Sequence, residues 1–546
     1  MPKERTITVD SVRASRTGHN FHERWTARRA LQLVFPSDHI YAIAIEGLST
    51  NEEAEPGDAA QEIADLVLYY GTGDSFGSAS AVQTLQFKYR VDRTLVTSSY
   101  LKKTIEKFAD SVLGYQKEAT ADEVDKKLSF GFVTNCQFAT SLWDAIAALK
   151  AGTEPPTDGS AKDQFDYLSL WCRDRGVDPH RLFSMTEFRA GEKNLPVQKS
   201  LLRRSLTDWS AGNDGRARIR VHELVELVVD KAGVRGARNN LVKRENVLDA
   251  LGCEPEDLFP ADSRFVDVGE VVERSELNDV LSLVKTSAVP VLLHAEGGVG
   301  KTVFVQSLAA KLTSDFEVVV FDCFGGGAYR SEDQARHLPS VGFVQIANEL
   351  ASRGLCDPLL PGDADTRGLV TTMRRRLEQA AGAVQEQSEK SGIVVVLDAA
   401  DNAQLEANNR KDEAFPRLLL ASLSREPIDG VKLLLTARPE RKDGVIGRAS
   451  VALFKLGVFS DEEARTFIAG RLPAATEEEV DVALRRSRCN ARVLAYLVES
   501  WDQNVSGNPS STPISVEEIV AQRCEKIFAD LHVAGWNDSL LIFTEN

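Results

Sequence analysis

Three groups of residues in this 546-residue sequence have the types and spacing to handle phosphate. The first is Gly297, Gly298, Val299, Gly300, Lys301 and Thr302, set between the apolar run 289–293 and the helical pattern VFVQSLAAKL. Glycines let backbone N–H groups curl around phosphate oxygens, a lysine reaches the terminal phosphates, and a threonine hydroxyl can ligate Mg2+. A helix N-terminus adds partial positive charge. Ala295 stands where the first glycine of G-x-x-x-x-G-K-[ST] belongs, and the paired glycines before Val299 supply the missing freedom. The second group is Asp398 and Asp401 in GIVVVLDAADNA. An apolar strand ending at Asp398 places a carboxylate where it can hold Mg2+ through a water, and Asp401 follows about one turn on, where it can position an attacking water.

The third group is Asp65, Gln86 and Lys88. Gln86 and Lys88 are two apart in AVQTLQFKYR, so they leave one strand face, and Asp65 opens the preceding strand of the same hairpin. An aspartate beside Gln-x-Lys can hold a divalent cation that neutralises a phosphodiester and activates water, while the lysine steadies developing charge. A solvated strand face with a Gln and a Lys accounts for the same three residues without any chemistry.

The elements that must position these groups alternate between apolar runs and helical spacing. FHERWTARRALQLVF has an apolar helical face, YAIAIEG is a buried strand ending in Glu46, and FGFVTNCQF with SLWDAIAALKAG is a further strand and helix. GTEPPTDGSAK (152–162) reads as a linker. Residues 163–260 read as mostly helical, a connecting domain without catalytic spacing, in which His180, His222, Trp171 and Trp209 are structural. FEVVVFDCF, GIVVVLDAADNA, GVKLLLTARPER and VALFKLG are continuous apolar runs of the kind that fill a parallel sheet covered on both faces. GGGAYRSEDQARHLPS follows one of them, and its Arg330, Arg336 and His337 fit a solvated loop or a phosphate-sensing or subunit-contact role equally. Ser460 and Glu463 form a capping box that starts a helix.

Composition bounds the rest. The chain is 43% hydrophobic and 27% charged, ordinary for globular protein. No run of eighteen apolar residues and no apolar leader is present, so neither a membrane span nor a secretory signal is expected. Seven scattered cysteines without a C-x-x-C pair fit a reducing cytoplasm and argue against structural zinc. A net charge of −16 requires any nucleic-acid contact to come from a local basic surface.

Two resemblances overlay these readings. Asp65, Gln86 and Lys88 resemble the PD-(D/E)xK restriction-endonuclease superfamily in the variant where glutamine replaces the second acid. The resemblance implies that Asp65 and Gln86 hold Mg2+, that Lys88 is the catalytic lysine, and that Glu23 or Glu46 is the additional acid. The 297–302 loop, Asp398 and T-A-R-P at 436–439 resemble the STAND (NACHT-like) ATPases, with VVERSEL as the segment leading into the module. That implies ATP and Mg2+ as cofactors, Arg438 sensing the γ-phosphate and Arg274 near the base or ribose. Asn490-Ala491-Arg492 stands where that family often has Gly-x-Pro.

The expected organisation is α/β: a restriction-endonuclease-like domain at 1–150, a helical connector at 163–260, a P-loop NTPase core with a five-stranded parallel sheet at 264–457, a helical lid at 458–505, and the start of a winged-helix-like unit at 514–546. No repeat period of 20–50 residues occurs, so a sensor is expected elsewhere, in a longer chain or a separate polypeptide. The combination resembles a bacterial antiviral ATPase with a nuclease effector: cytoplasmic, not membrane-bound, assembling as a homo-oligomer on ATP, set off by a phage-derived trigger or sensor protein, and cutting DNA. The alternatives are a non-cutting ATP-switched scaffold whose first domain only binds nucleic acid or protein, and a restriction subunit that cuts constitutively.

Overall fold

The computed structural model describes residues 9–35, 39–52, 65–92, 95–117, 119–265, 271–331, 334–362 and 364–502. The winged-helix-like segment expected at 514–546 lies outside them. The chain divides into two compact units, one of Met1–Leu258 with Ala351–Gly354 and Pro358–Ala364, the other of the remainder. Among the described residues no helix is long and apolar enough to cross a membrane.

The first unit is built on a six-stranded sheet. Strands β1 (Ile40–Ile45), β2 (Leu66–Gly71) and β3 (Ala79–Lys88) form an antiparallel meander. β4 (Leu128–Thr134) and β5 (Thr186–Arg189) continue the sheet parallel to β3, and β6 (Leu241–Val242) pairs with β1, giving the order β5-β4-β3-β2-β1-β6. The period-2 alternation of β3 sends Val82 into a core with Val67, Tyr69, Phe130 and Phe108, the last on helix α2 (Lys102–Tyr115). Phe87 faces the other way, onto Trp25 of helix α1 (Val9–Ala30) at 4.9 Å between ring centres. Gln86 and Lys88 therefore share the Val82 face, as their spacing requires.

Residues 163–260 do not form a separate helical connector. As far as Leu258 they belong to the first unit, and they contribute β5 and β6 to its sheet. The strand inside LFSMTEFRAGEKNL escaped the helical reading because it is four residues long. Its alternation, with Thr186 and Phe188 buried and Glu187 exposed, is too brief to stand out from an apolar-rich string. The Pro/Gly-rich stretch 152–162 is likewise not a linker between domains: 152–158 connects two packed helices and 159–162 opens the second. Gly152 closes the first at φ 64°, and Asp158 caps the second by accepting from the Ala161 N–H at 2.9 Å.

The second unit carries the expected sheet of five parallel strands: β7 (Val291–His294), β8 (Glu317–Asp322), β9 (Ile393–Asp398), β10 (Val431–Ala437) and β11 (Ala452–Lys455), in the order β8-β9-β10-β7-β11. Every residue of β9 is buried, which is why it reads as a continuous apolar run. β10 lies between the phosphate-loop strand β7 and the Asp398 strand β9, so all three present their carboxyl ends to one edge. Beyond the sheet, helices α3 (Asp461–Arg471), α4 (Glu477–Ser487) and α5 (Ala491–Asp502) pack around Phe467, Ile468, Leu484 and Leu494.

The capping box at the start of α3 is formed in both directions, with the Glu463 N–H donating to Ser460 Oγ at 3.2 Å and the Ser460 N–H to Glu463 Oε2 at 2.8 Å. Ser460→Ala removes one half of it and is expected to destabilise the second unit by about 1 kcal/mol. That corresponds to a thermal transition earlier by about 2–4 °C. An unchanged transition would mean that the apolar cluster alone holds the lid.

Candidate functional site

The strongest constellation sits at the carboxyl edge of the five-stranded sheet. Gly298 and Gly300 take φ of 78° and 96°, the left-handed region open to glycine, and so turn the chain from β7 into a helix starting at Lys301. With the loop curled this way, Lys301 Nζ donates to its own loop carbonyls, Ala295 at 2.6 Å and Glu296 at 3.0 Å. Burial lowers the Lys301 pKa, and Asp401 works against that shift. Thr302 Oγ1 donates to Asp398 Oδ2 at 2.7 Å, joining the loop to the tip of β9 across the sheet. Asp398 is 1% exposed, and burial raises its pKa against the hydrogen bonds from Thr436 and Thr302.

Asp401 is also buried, with Oδ2 lacking any hydrogen-bond donor and Arg441 Nη1 at 3.7 Å. A cavity of about 510 Å³ is lined by the loop, Asp401 and Arg438, and by apolar Val272, Leu277, Phe459 and Phe467. This mix of a polar phosphate cradle with apolar and aromatic walls, at this size, is what a nucleotide requires. The second unit is thus a P-loop nucleotide-binding fold.

Two sequence readings change here, those of Arg336 and His337, and Arg274 gains partners. Arg274 borders the cavity, but its guanidinium is spent on protein oxygens, donating to Gly457 O at 2.9 Å and Val458 O at 3.0 Å, and lying 3.3 Å from Glu463. It ties Val299 of the loop to the residues that lead into the lid, at the border of the cavity. Arg336 and His337 are 1% exposed, so neither is a solvated or subunit-contacting group. Arg336 donates to Asp322 O at 2.7 Å and Asp262 O at 2.6 Å, in space left by Gly325, where a Cβ would collide with its Nε. His337 Nε2 lies 3.0 Å from Asp412 Oδ2.

The departure at Asn490-Ala491-Arg492 does not remove the lid from the loop, because Asn490 Nδ2 donates to Gly297 O at 3.0 Å and the Arg492 N–H to Gly298 O at 2.9 Å. One residue went unnoticed in the sequence, and another was matched without a partner. Asp322 lies opposite Asp398 in the strand register and accepts from the N–H groups of Phe324 and Gly325. FEVVVFD ends as IVVVLD does, which was the available signal. Thr436, inside the T-A-R-P match, bonds to Asp398 Oδ1 at 2.6 Å.

In the first unit, the register Leu66↔Leu85 puts Asp65 opposite Gln86, on the face that also carries Lys88. Asp65 Oδ2 accepts from the Phe87 N–H at 2.6 Å, and the Glu46 N–H donates to Asp65 O at 3.1 Å. Asp65 is half-buried, and its loss of hydration pushes the pKa up to about 7, with Glu46 adding to the rise. Glu46 is more open to solvent, yet desolvation raises it as well. Lys88 Nζ donates to Tyr100 O at 2.7 Å, and burial with the nearby Lys103, Arg90 and Lys107 lowers it to about 8. Gln86 Oε1 is buried without a hydrogen-bond partner. Glu23 lies on α1, which packs on the Phe87 face, and is not among the groups acting most strongly on Asp65. Among the described residues no group of three His, Cys, Asp or Glu side chains is placed to hold a metal.

No protein-family model and no curated protein matches the chain. Among solved structures, it is similar to a STAND protein with a tetratricopeptide repeat sensor from Pyrococcus horikoshii, at 16% identity and TM-score 0.28 over 46% of this chain and 34% of that one. RuvB of Thermotoga maritima matches at 12% identity and TM-score 0.25, over 46% of this chain and 68% of that one. The Cap4 SAVED/CARF-domain receptor of Acinetobacter baumannii, solved with a cyclic trinucleotide, matches at 10% identity and TM-score 0.25, over 72% and 66%. At such scores none of these likenesses bears on function, and the nucleotide site rests on its own geometry.

The Asp65 environment has a measurable consequence. A carboxyl whose folded pKa lies near 7, above its unfolded value of 3.8, holds extra protons in the native state between those values, so its contribution to stability falls as pH rises through that window. Asp65→Asn is expected to stabilise the first unit at pH 8 by on the order of 2 kcal/mol, with the gain shrinking as pH falls and all but gone by about pH 4. Denaturant melts at both pH values check this, and an equal gain at both would deny the ionised Asp65 its cost.

Proposed function

We propose that the chain is an ATP-switched nuclease of antiviral defence. ATP with Mg2+ binds at Lys301, Thr302 and Asp398, bound nucleotide favours a homo-oligomer, and the first unit cuts DNA with Asp65, Glu46, Gln86 and Lys88. The observation that carries the nucleotide half is the Thr302–Asp398 hydrogen bond across the sheet, which couples a phosphate loop to an acidic strand tip. On this reading Lys301 exchanges its loop carbonyls for phosphate oxygens, Arg438 meets the γ-phosphate, and the undonated Asp401 oxygen orients water for attack.

The nuclease half is supported by Asp65 facing Gln86 with Lys88 alongside. Two carboxylates of raised pKa, one adding to the rise of the other, with an orphaned amide oxygen between strands, form an oxygen donor set suited to a hard divalent cation. Such a cation would be held by Asp65, Glu46 and Gln86, and would neutralise phosphate charge and acidify water in its shell. Lys88, once drawn from the Tyr100 carbonyl, offers its ammonium to the charge developing on the phosphate. Assembly would supply the avidity that one acidic protomer lacks. The antiviral setting, and a phage-derived trigger or separate sensor, follow from the sequence resemblance. A non-cutting scaffold is the second reading, favoured by Gln86 in place of the second acid, since a neutral amide holds a divalent cation less firmly than a carboxylate.

Lys301→Ala is expected to abolish ATP binding by calorimetry while leaving the melting profile intact, because the lysine stabilises ligand charge and not the core. Undiminished affinity would remove the NTPase reading. Plasmid cleavage with and without ATP and Mg2+ tests the nuclease. Asp65→Ala and Lys88→Ala should each end Mg2+-dependent cleavage and keep ATP binding, and Mg2+ should stabilise the wild type against heat more than Asp65→Ala. A wild-type protein that binds ATP, assembles and cuts nothing decides for the scaffold, and cutting without ATP decides for the constitutive restriction subunit.

A further inference from the structure

We propose that Arg90, Lys103 and Lys107 form a ledge that holds the phosphates of duplex DNA beside the cut, whatever its sequence, a proposal that rests on the nuclease reading of Lys88 above. The ledge is built around Tyr100. Lys88 Nζ donates to Tyr100 O at 2.7 Å and lies 5.0 Å from the centre of its ring, and the Arg90 guanidinium carbon lies 4.8 Å from the same centre. Helix α2 begins just after Tyr100 and carries Lys103 and Lys107 one turn apart on one side. Arg90 is fixed at its backbone: its N–H donates to Asn135 Oδ1 at 2.9 Å, its carbonyl accepts from Asn135 Nδ2 at 2.6 Å, and Asn135 is itself buried. Arg90 and Lys103 are exposed and Lys107 is half-buried.

These charges act on one another. Burial lowers the Lys88 pKa most, and Lys103, Arg90 and Lys107 lower it further, so all three cations are felt at the lysine of the cut site. The acids of α2 have cations of their own, Asp110 accepting from Arg175 at 2.6 Å and Glu106 lying 4.0 Å from Lys102. Four like charges gathered on a chain of net charge −16 repel one another until a polyanion lies across them. Lysines meet phosphates as point charges, and such contacts set position without reporting the base. The Tyr100 ring is engaged by Lys88 and Arg90 and packs edge-on to Phe132 at 6.0 Å, so it is no platform for stacking an unpaired base. A duplex also offers one charge per about 1.7 Å of its axis, against about 3.4 Å along one strand.

The experiment follows the anisotropy of two fluorescent duplexes of about 30 base pairs and unrelated sequence, titrated with the full chain at about 50 to 200 mM salt. Cutting is blocked in two ways, by an Asp65→Ala background with ATP and Mg2+, and by EDTA with ATP in the otherwise unaltered chain, so a background that fails to fold leaves the second arm to decide. Each of Arg90→Gln, Lys103→Gln and Lys107→Gln should reduce the slope of log affinity against log salt by about 0.9 and weaken binding by about 3- to 10-fold at about 0.1 M salt, by the same factor on both duplexes. Lys126→Gln, at an exposed lysine paired with Asp122, should leave the slope unchanged. In plasmid cleavage with Mg2+ and Asp65 intact, the three ledge variants should raise KM by a similar factor and keep kcat within about threefold of wild type.

An unchanged slope and affinity in the triple variant overturn the ledge, as does a loss confined to one sequence, an oligothymidylate of the same length bound more tightly than the duplexes, or a parent chain that binds no DNA in either arm. Cleavage that persists beside an unchanged slope overturns the ledge alone and leaves the nuclease reading standing. A slope that falls as expected in a protein that cuts nothing supports the ledge as a grip on DNA and overturns the nuclease reading alone.

Discussion

The second unit depends on keeping one carboxylate, Asp398, ionisable at 1% exposure. A buried carboxylate without hydrogen bonds is costly enough to take up a proton, and then it is useless beside a cation. Two threonine hydroxyls meet that demand, one from the phosphate loop and one from β10. The strand order follows from the same need. With β10 inserted between β7 and β9, the loop reaches Asp398 from one side while Thr436 approaches from the adjacent strand, and Arg438 leaves the same strand two residues later.

The first unit meets a related problem differently. Asp65 and Glu46 lie near one another, partly desolvated, and ionise reluctantly, while Lys88 sits near three other cations and gives up its proton more easily than usual. Each charge is less stable than it would be in water, and a group of opposed, half-satisfied charges is retained in folds chiefly where it acts on something charged. The orphaned oxygen of Gln86 belongs to the residue opposite Asp65 in the strand register.

The five-stranded sheet was legible because its strands are uniform apolar runs, a pattern without a competing explanation at that length. The phosphate loop, Asp398 and the capping box at Ser460 were legible because local chemistry dictates them. What stayed hidden is non-local. β5 and β6 are two to four residues long and become strands only because the edges of an existing sheet accept them. The Thr436 bond joins residues 38 apart in sequence, and no spacing rule reaches across a strand crossover. Arg336 and His337 fitted a solvated loop because sequence does not disclose which oxygens, the Asp322 and Asp262 carbonyls or the Asp412 carboxylate, will surround a side chain. Glu23 and Glu46 were interchangeable on paper. Glu46 follows directly from β1, its N–H bonded to Asp65 O, while Glu23 lies on α1, whose Trp25 packs on Phe87.

The lid meets the phosphate loop through the Asn490 amide and the Arg492 backbone N–H, both donating to backbone carbonyls. These donors are neutral, so the ionic atmosphere scarcely touches them, whereas the attraction between a polyphosphate and Lys301 or Arg438 weakens as counterions crowd in. The two grips on the loop therefore answer to different variables. Rising ionic strength weakens charge attraction at Lys301 and Arg438 and leaves these two neutral hydrogen bonds as they were.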